Sequence, residues 1–513
     1  MKKRTKKLLF IWAVAVFTSP SCPRMRASTP FPRAKPLPDA LPPDLEPVIS
    51  TGKMRLTAAI VGGALFMQNI DSTVIATGLP AMAKSFHADP LHMSVALTSY
   101  LISLSVFIPA SGWAADHFGA KTVFRAAIFI FTIASVFCGL APSLPILVAA
   151  RILQGLGGAM MVPVGRLVLL RSVSKAQMVA AMSWLTIPAI IGPILGPPLG
   201  GFIVTYLNWR WVFDINVPIG IVGAVMVTLF ISDVREADGG GRLDILGLLL
   251  SGFAMAALMA GFETVGRGII PFPYTLAAFA AGLAACALYA RHAAGHPHPV
   301  LDFSLMRIPT FASSVIAGSL FRIAVGAMPF LLPLMLQIGF GDSALKSGLT
   351  TFTAAAGALA MKPAAQPILR RFGFRTALVW NGILAAVFIA LCAAFSPAWP
   401  SLLLNAVLLV GGFFRSLQFT AFNTIAYGDV PRPKMSAATS LYSTIQQLTL
   451  TLGIVIGAAS LEVTESLRHH PHAEVSDFSL AFILVGLIAA TAAPICARLP
   501  PNAGEALSGH HAA

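Results

Sequence analysis

From residue 54 onward the sequence is a succession of apolar runs, each about 20 residues long and separated by short polar loops. A run of that length matches the hydrocarbon thickness of a bilayer when it is helical. The runs lack strict polar–apolar alternation, which excludes the strands of a membrane barrel. Only 11% of the 513 residues are charged, while 56% are hydrophobic. A water-soluble domain carries about 25% charged residues, and so few could not cover a soluble surface. The fold class is therefore an all-α polytopic membrane protein.

Fourteen spans are expected: 56–79, 92–115, 122–141, 144–170, 177–205, 212–232, 244–263, 273–290, 311–338, 346–369, 376–395, 400–427, 437–461 and 477–497. An even count puts both ends on one side. Loops on that side hold about 12 Lys and Arg, and the opposite loops about 5. By the positive-inside rule both termini are cytoplasmic, with the chain in the cell (inner) membrane. The longest internal loops on that side, 233–243 and 291–310, divide the spans into six, two and six. The expected units are an N-terminal tail 1–53, a six-helix bundle 54–232, a linker with two extra helices 233–310, a second six-helix bundle 311–500 and a short tail 501–513. Residues 1–53 open on a basic, apolar stretch and continue rich in proline. They read as a signal-peptide front, an over-extended start or a disordered tail.

The net charge of +15 is scattered over loops and tail, so nucleic acid is not an expected partner. The five cysteines form no CxxC pair and read as inert thiols. The histidines of "RHAAGHPHP" (291–299) and "RHHPHAE" (468–474) lie in loops; loop-borne metal binding is the alternative there, but no metal ligand is assigned to them. No Walker A sequence is present, so ATP drive and bound cofactors are not expected. Trp113, Trp184, Trp209, Trp211, Trp380 and Trp399 fall near span ends, where interfacial anchors belong.

Four segments carry a more specific signal. "QNIDSTVIATGLP" (68–80) closes the first span and contains Asn69 and Asp71. "GWAADHFGAK" (112–121) follows the second and contains Gly112, Asp116, Gly119 and Lys121. "RILQGLGGA" (151–159) brings Arg151, Gln154 and Gly155 into the fourth. "GPILGPPLGG" (192–201) gives the fifth Gly192, Pro193, Gly196, Gly200 and Gly201. In this order the segments resemble the fourteen-span drug:proton antiporters (EmrB/QacA type) of the major facilitator superfamily, closest to the MdtD-like branch of multidrug exporters. "QPILRRFGFRTALV", after the tenth span, repeats the pattern of residues 112–124. Duplicated six-span halves are a common transporter layout.

The resemblance implies two six-helix bundles plus two extra helices, alternating access, and no enzymatic activity. It implies that residues 112–121 lock the cytoplasmic side of an outward-facing state, and that the glycine-proline run seals the passage between the halves. An acidic residue at Asp71 is linked in this family to coupling or to cationic substrates. Asp71, with Arg151 as partner, is the candidate proton site; a fixed structural pair is the alternative. Expected partners are the lipid bilayer, protons and a small-molecule substrate. Some exporters of this type use a periplasmic adaptor, which nothing in the sequence demonstrates.

Away from the span ends the other charges are basic, Arg166, Arg322, Lys362 and Arg415, and acidic residues such as Glu263 lie near the ends. A charge in hydrocarbon costs several kcal/mol unless it faces a cavity or a partner. Guanidinium groups grip carboxylate or phosphate oxygens in a two-pronged geometry. With Asn69, these residues are expected to line one electropositive central cavity that takes an organic anion. The alternatives are an exporter of cationic or neutral drugs, or a facilitator or importer of the same fold.

Overall fold

The computed structural model describes residues 50–87, 93–232, 241–264, 271–468 and 474–510. Its helices are α1 (Thr51–Phe86), α2 (Ser94–Phe107), α3 (Ser111–Phe118), α4 (Ala120–Leu140), α5 (Leu144–Ser172), α6 (Met178–Tyr206), α7 (Trp211–Asp214), α8 (Asn216–Phe230) and α9 (Ile245–Thr264). They continue as α10 (Phe272–Gly295), α11 (Pro309–Leu334), α12 (Ala344–Ala360), α13 (Ala365–Leu391), α14 (Ser401–Ile425), α15 (Met435–Arg468), α16 (Val475–Ala490), α17 (Ala492–Cys496) and α18 (Glu505–Ser508). The N-terminal tail expectation falls outside the described residues, except at its end. There Ser50 caps α1 through its hydroxyl, and residues 51–53 are already helical.

Thirteen stretches among the described residues are long and apolar enough to cross a membrane. One of them, Lys346–Ala394, has 49 residues. A straight helix of that length would reach about 73 Å, more than twice the hydrocarbon thickness. It is two crossings, turned at Gly373, whose φ of 71° and ψ of 165° break the helix. Gly119, between α3 and α4, has a φ of 87° and a ψ of 134°. This region is open to glycine because a Cβ would clash there. The two repeated segments, "HFGAK" and "RFGFR", thus make the same backbone elbow. Fourteen helical crossings result among the described residues.

The helices pack in two six-span groups. In the first, α1 lies along α6, α4 and α2 lie along α5, and α8 covers α4. In the second, α11 lies along α15, α12 along α14, and α13 along α14 and α16. The two extra crossings, α9 and α10, pair with each other, and α9 touches α2 and α15. Because lipid offers no hydrophobic drive between helices, close backbone approach does the work.

Hydrogen bonds between the two groups, among the described residues, gather toward one end. Ser440 donates to Pro109 O at 2.8 Å, Ser436 to Asp116, and Arg166 to Tyr427 at 3.1 Å. This end, where α18 lies, is called the terminal face below. The short α18 lies across it, near the 3-10 turn Lys175–Gln177 of the first group as well as α13 of the second. Trp209 departs from the expected anchoring role: it is buried and packs on Phe86 and Phe213. Of the cysteines, Cys138, Cys392 and Cys496 are buried and Cys286 is exposed; Cys22 lies outside the described residues.

Candidate functional site: a buried ion pair, an arginine seam and a closed face

The first site lies on α1, which packs one face against α6 and turns another toward the rest of its group. Gly192, Gly196 and Gly200 recur every four residues, so they share one face of α6. They meet Asn69, Thr73 and Thr77, which share one face of α1 at the same spacing. Asn69 Nδ2 also donates to Ala189 O at 3.2 Å, so its side chain is engaged with α6 rather than a central cavity. Gly201 is one residue out of phase, and a Cβ there would meet open space. It therefore takes no part in this contact, contrary to expectation. Pro193 is exposed, and α6 continues through it without a break to Tyr206.

Asp71, two residues along α1 from Asn69 and so turned away from α6, is fully buried. Arg151 NH1 donates to Asp71 Oδ2 at 2.6 Å. Gln154 Nε2 donates to Oδ1 at 2.9 Å, and Asn216 Nδ2 donates to the same oxygen at 2.8 Å. Ser135 Oγ accepts from Gln154 at 2.8 Å. Arg151 is fixed further by Ala96 O at 3.1 Å and by the Tyr100 ring, 4.2 Å from its Cζ. Gly155 lets α5 press on α2, since a Cβ there would collide with Ser103. The network therefore ties α1, α2, α4, α5 and α8 inside the first group. A buried pair of this kind is strongly destabilised when one partner is removed, by about 3–5 kcal/mol.

A second cluster lies on the seam between the groups. Arg322, on α11, is 1% exposed and donates through NH2 to the Tyr442 hydroxyl on α15. Its Cζ lies 4.5 Å from the Tyr442 ring. Its Nε and NH1 are buried without a hydrogen-bond partner. Arg166, on α5 of the first group, reaches across to Tyr427 at 3.1 Å and Gln446 at 3.4 Å. Its Cζ is 5.5 Å from the same Tyr442 ring. Two guanidinium groups thus converge on tyrosines.

The other two basic residues do not join them. Lys362 is buried in the second group and donates to Thr420 on α14 at 3.0 Å. Arg415 lines a small void of about 10 Å³ among Met328, Phe388, Cys392 and Leu408. The expected single chamber of four basic residues is therefore divided. Helix phase explains it: Ser416 and Thr420 turn α14 toward α12 and Lys362, while Arg415 lies between α11 and α13.

At the terminal face, Asp116 accepts from Arg171 NH2 at 3.0 Å within its own group and from the Ser436 hydroxyl of the other. Gly112 packs on the Ser436 backbone, where a Cβ would come within 2.9 Å of the carbonyl oxygen. Lys121 Nζ donates to Thr228 O at 3.0 Å, fastening α4 to α8 rather than crossing the seam. The face is closed in this conformation.

A sequence model of the Major Facilitator Superfamily matches residues 61–454. The chain belongs to the Major Facilitator Superfamily. It is accordingly a multi-pass membrane transporter, not an enzyme. Proteins named "Putative multidrug resistance protein MdtD" from Salmonella newport and Salmonella typhimurium are each 39% identical to it. The alignments span 452 and 453 residues, 86% of this chain and 94% of each relative. Among solved structures, the human organic anion transporter MFSD10 superposes with a TM-score of 0.64 at 14% identity, covering 86% of this chain and 99% of that one. The proton:xylose symporter XylE superposes at 0.59 and 16% identity, covering 88% and 96%. Both share the superfamily fold.

Within this superfamily frame, sequence reasoning missed Asn216, Ser135, Tyr427, Tyr442 and Gln446. Asn216 offered a signal, as an amide inside the apolar run "DINVPIGIVG". The tyrosines offered none, because hydroxyl-bearing rings are common near span ends.

Proposed function

We propose that this transporter is a proton-coupled exporter of organic anions that works by alternating access, with both termini in the cytoplasm of an inner-membrane protein. Residues 54–232 and 311–500 are the rocking units, and the closed terminal face makes this conformation outward-facing. The observation that carries the substrate class is Arg322, buried at the seam with two N–H-bearing nitrogens unpaired and Arg166 beside it. A carboxylate or phosphate guest would satisfy those donors in a two-pronged geometry. A cationic guest would be repelled by both guanidinium groups.

Coupling rests on Asp71. A proton on this carboxylate turns one acceptor into a donor and releases Arg151 from its pair. The freed guanidinium repels further positive charge and perturbs the α1–α5 contact. That is a two-state bias of the kind a bound ligand exerts only through unequal affinity for two conformations. The proton site lies inside one group and the anion site on the seam. Exchange then arises through the shared conformational equilibrium rather than through competition for one pocket.

The test is transport in proteoliposomes under an imposed pH gradient, using a small polycarboxylate and a cationic dye. Polycarboxylate flux is expected to follow the gradient. It should vanish in Arg322→Gln, and it should become independent of the gradient in Asp71→Asn. Dye transport that persists unchanged in Arg322→Gln, without polycarboxylate flux in the parent protein, overturns the anion reading.

A further inference from the structure

The extra crossings carry a side-chain cluster apart from the two sites described above. Helices α9 and α10 are antiparallel neighbours, so the start of one lies beside the end of the other. Asp244 immediately precedes α9. His292 lies in the last turn of α10, and His296 follows that helix one turn later. Asp244 Oδ1 accepts from the Gly247 N–H at 2.8 Å and lies 2.7 Å from His292 Nε2. The His292 and His296 rings are 5.2 Å apart and tilted by 35°. One donor atom from each of the three residues lies within 4.8 Å of the others.

An ion pair that merely caps α9 would account for Asp244 and His292. It leaves two facts unexplained. Asp244 Oδ2 is buried with no hydrogen-bond partner, which is costly for a carboxylate oxygen. And a second imidazole, which the cap does not require, stands one turn from the first. Its Nδ1 already accepts the His298 N–H at 3.2 Å, so Nε2 is the nitrogen left for a ligand.

We propose that Asp244, His292 and His296 form a site for a divalent transition metal of borderline softness, with zinc as the best match. Two imidazoles at i and i+4 with one carboxylate are a zinc ligand set, and the remaining position stays open to water or a fourth donor. The ion takes the place of the His292–Asp244 bond and gives the buried oxygen its missing partner. Its effect is structural: it clamps the two extra helices together at the terminal face. The neighbouring Gly241 carbonyl accepts the Trp113 indole N–H at 3.0 Å, so the clamp adjoins the loop that closes that face. The pairing was invisible in the sequence because Asp244 is 48 residues from His292.

The experiment is calorimetric titration of the purified full-length protein with Zn²⁺, paired with thermal unfolding. One saturable equivalent and a raised Tm are expected. His296→Gln should weaken binding at least tenfold while leaving the metal-free Tm unchanged; Asp244→Asn should also weaken it. A variant with His469, His470 and His472 changed to Gln should keep the site. Failure of the parent protein to bind, unchanged affinity in His296→Gln, or loss of binding in the triple variant overturns the proposal. So does an equal response to Mg²⁺, which needs no imidazole. None of these readouts involves transport, so the site and the anion-export reading fail independently.

Discussion

Asp116 is the sharpest lever on the conformational equilibrium, because its two oxygens serve opposite sides of the seam. One accepts from Arg171 of its own group at 3.0 Å, and the other from Ser436 of the second. Asp116→Ala removes both acceptors. A hydrogen bond to a charged group contributes about 1.5–3 kcal/mol. The Asp116 side chain is 23% exposed, so solvent screening lowers that figure. About 1–2 kcal/mol is left to favour the closed terminal face, a factor of roughly 5–30 in the ratio of closed to open molecules. Ser436→Ala removes only the bond across the seam and keeps the Arg171 pair. Its shift should have the same sign and the smaller size, near fivefold. The assay is a distance distribution between spin labels at Ala176 and Arg432, exposed positions of the two groups on this face, with Cys22 and Cys286 replaced by Ser. Broadening toward longer distances is expected in both variants. Distributions matching the parent in both variants, with the protein still folded and monodisperse, would refute the assignment of this contact as a latch.

Two further outcomes follow from the packing and the loops. Gly196→Ala places a methyl group against Thr73 and should destabilise the protein by about 1–3 kcal/mol, whereas Gly201→Ala meets open space and should leave Tm unchanged; thermal unfolding of the two variants side by side decides it. In the loop before α11, burial pushes the Asp302 carboxyl up, but bonds from Ser304 and from Lys434 at 3.1 Å outweigh it and hold the group below its usual range. Its stabilising contribution is therefore present above the ordinary carboxylate value of about 4 and lost as pH falls through the lowered one, so acidification should cost the parent protein more Tm than Asp302→Asn.

Much of the fold was legible because bilayer thickness forces every crossing to announce itself as an apolar run. The Asp71–Arg151 pair was legible for a related reason: opposite charges inside runs need partners, and few were on offer. What the sequence could not show was rotation about a helix axis. Arg322 and Arg415 look alike in a string, since both are single arginines amid Phe, Leu and Gly. The structure puts one on the seam and the other in an apolar void. The same blindness grouped Gly201 with Gly200, although adjacent residues on a helix point about 100° apart. The elbow at Gly373, by contrast, was legible, because Arg370, Arg371 and Arg375 interrupt the apolar run there and the segment repeats the pattern around Gly119.

That elbow has a consequence for parity. Each crossing inverts the direction of the chain, so one turn decides on which side of the bilayer everything after it emerges. Were the backbone at Gly373 to run straight, one crossing would be lost and the last three would be read upside down. The Ala497 carbonyl could then no longer meet Arg375, nor His510 the Arg370 carbonyl, because they would lie on opposite sides of the lipid.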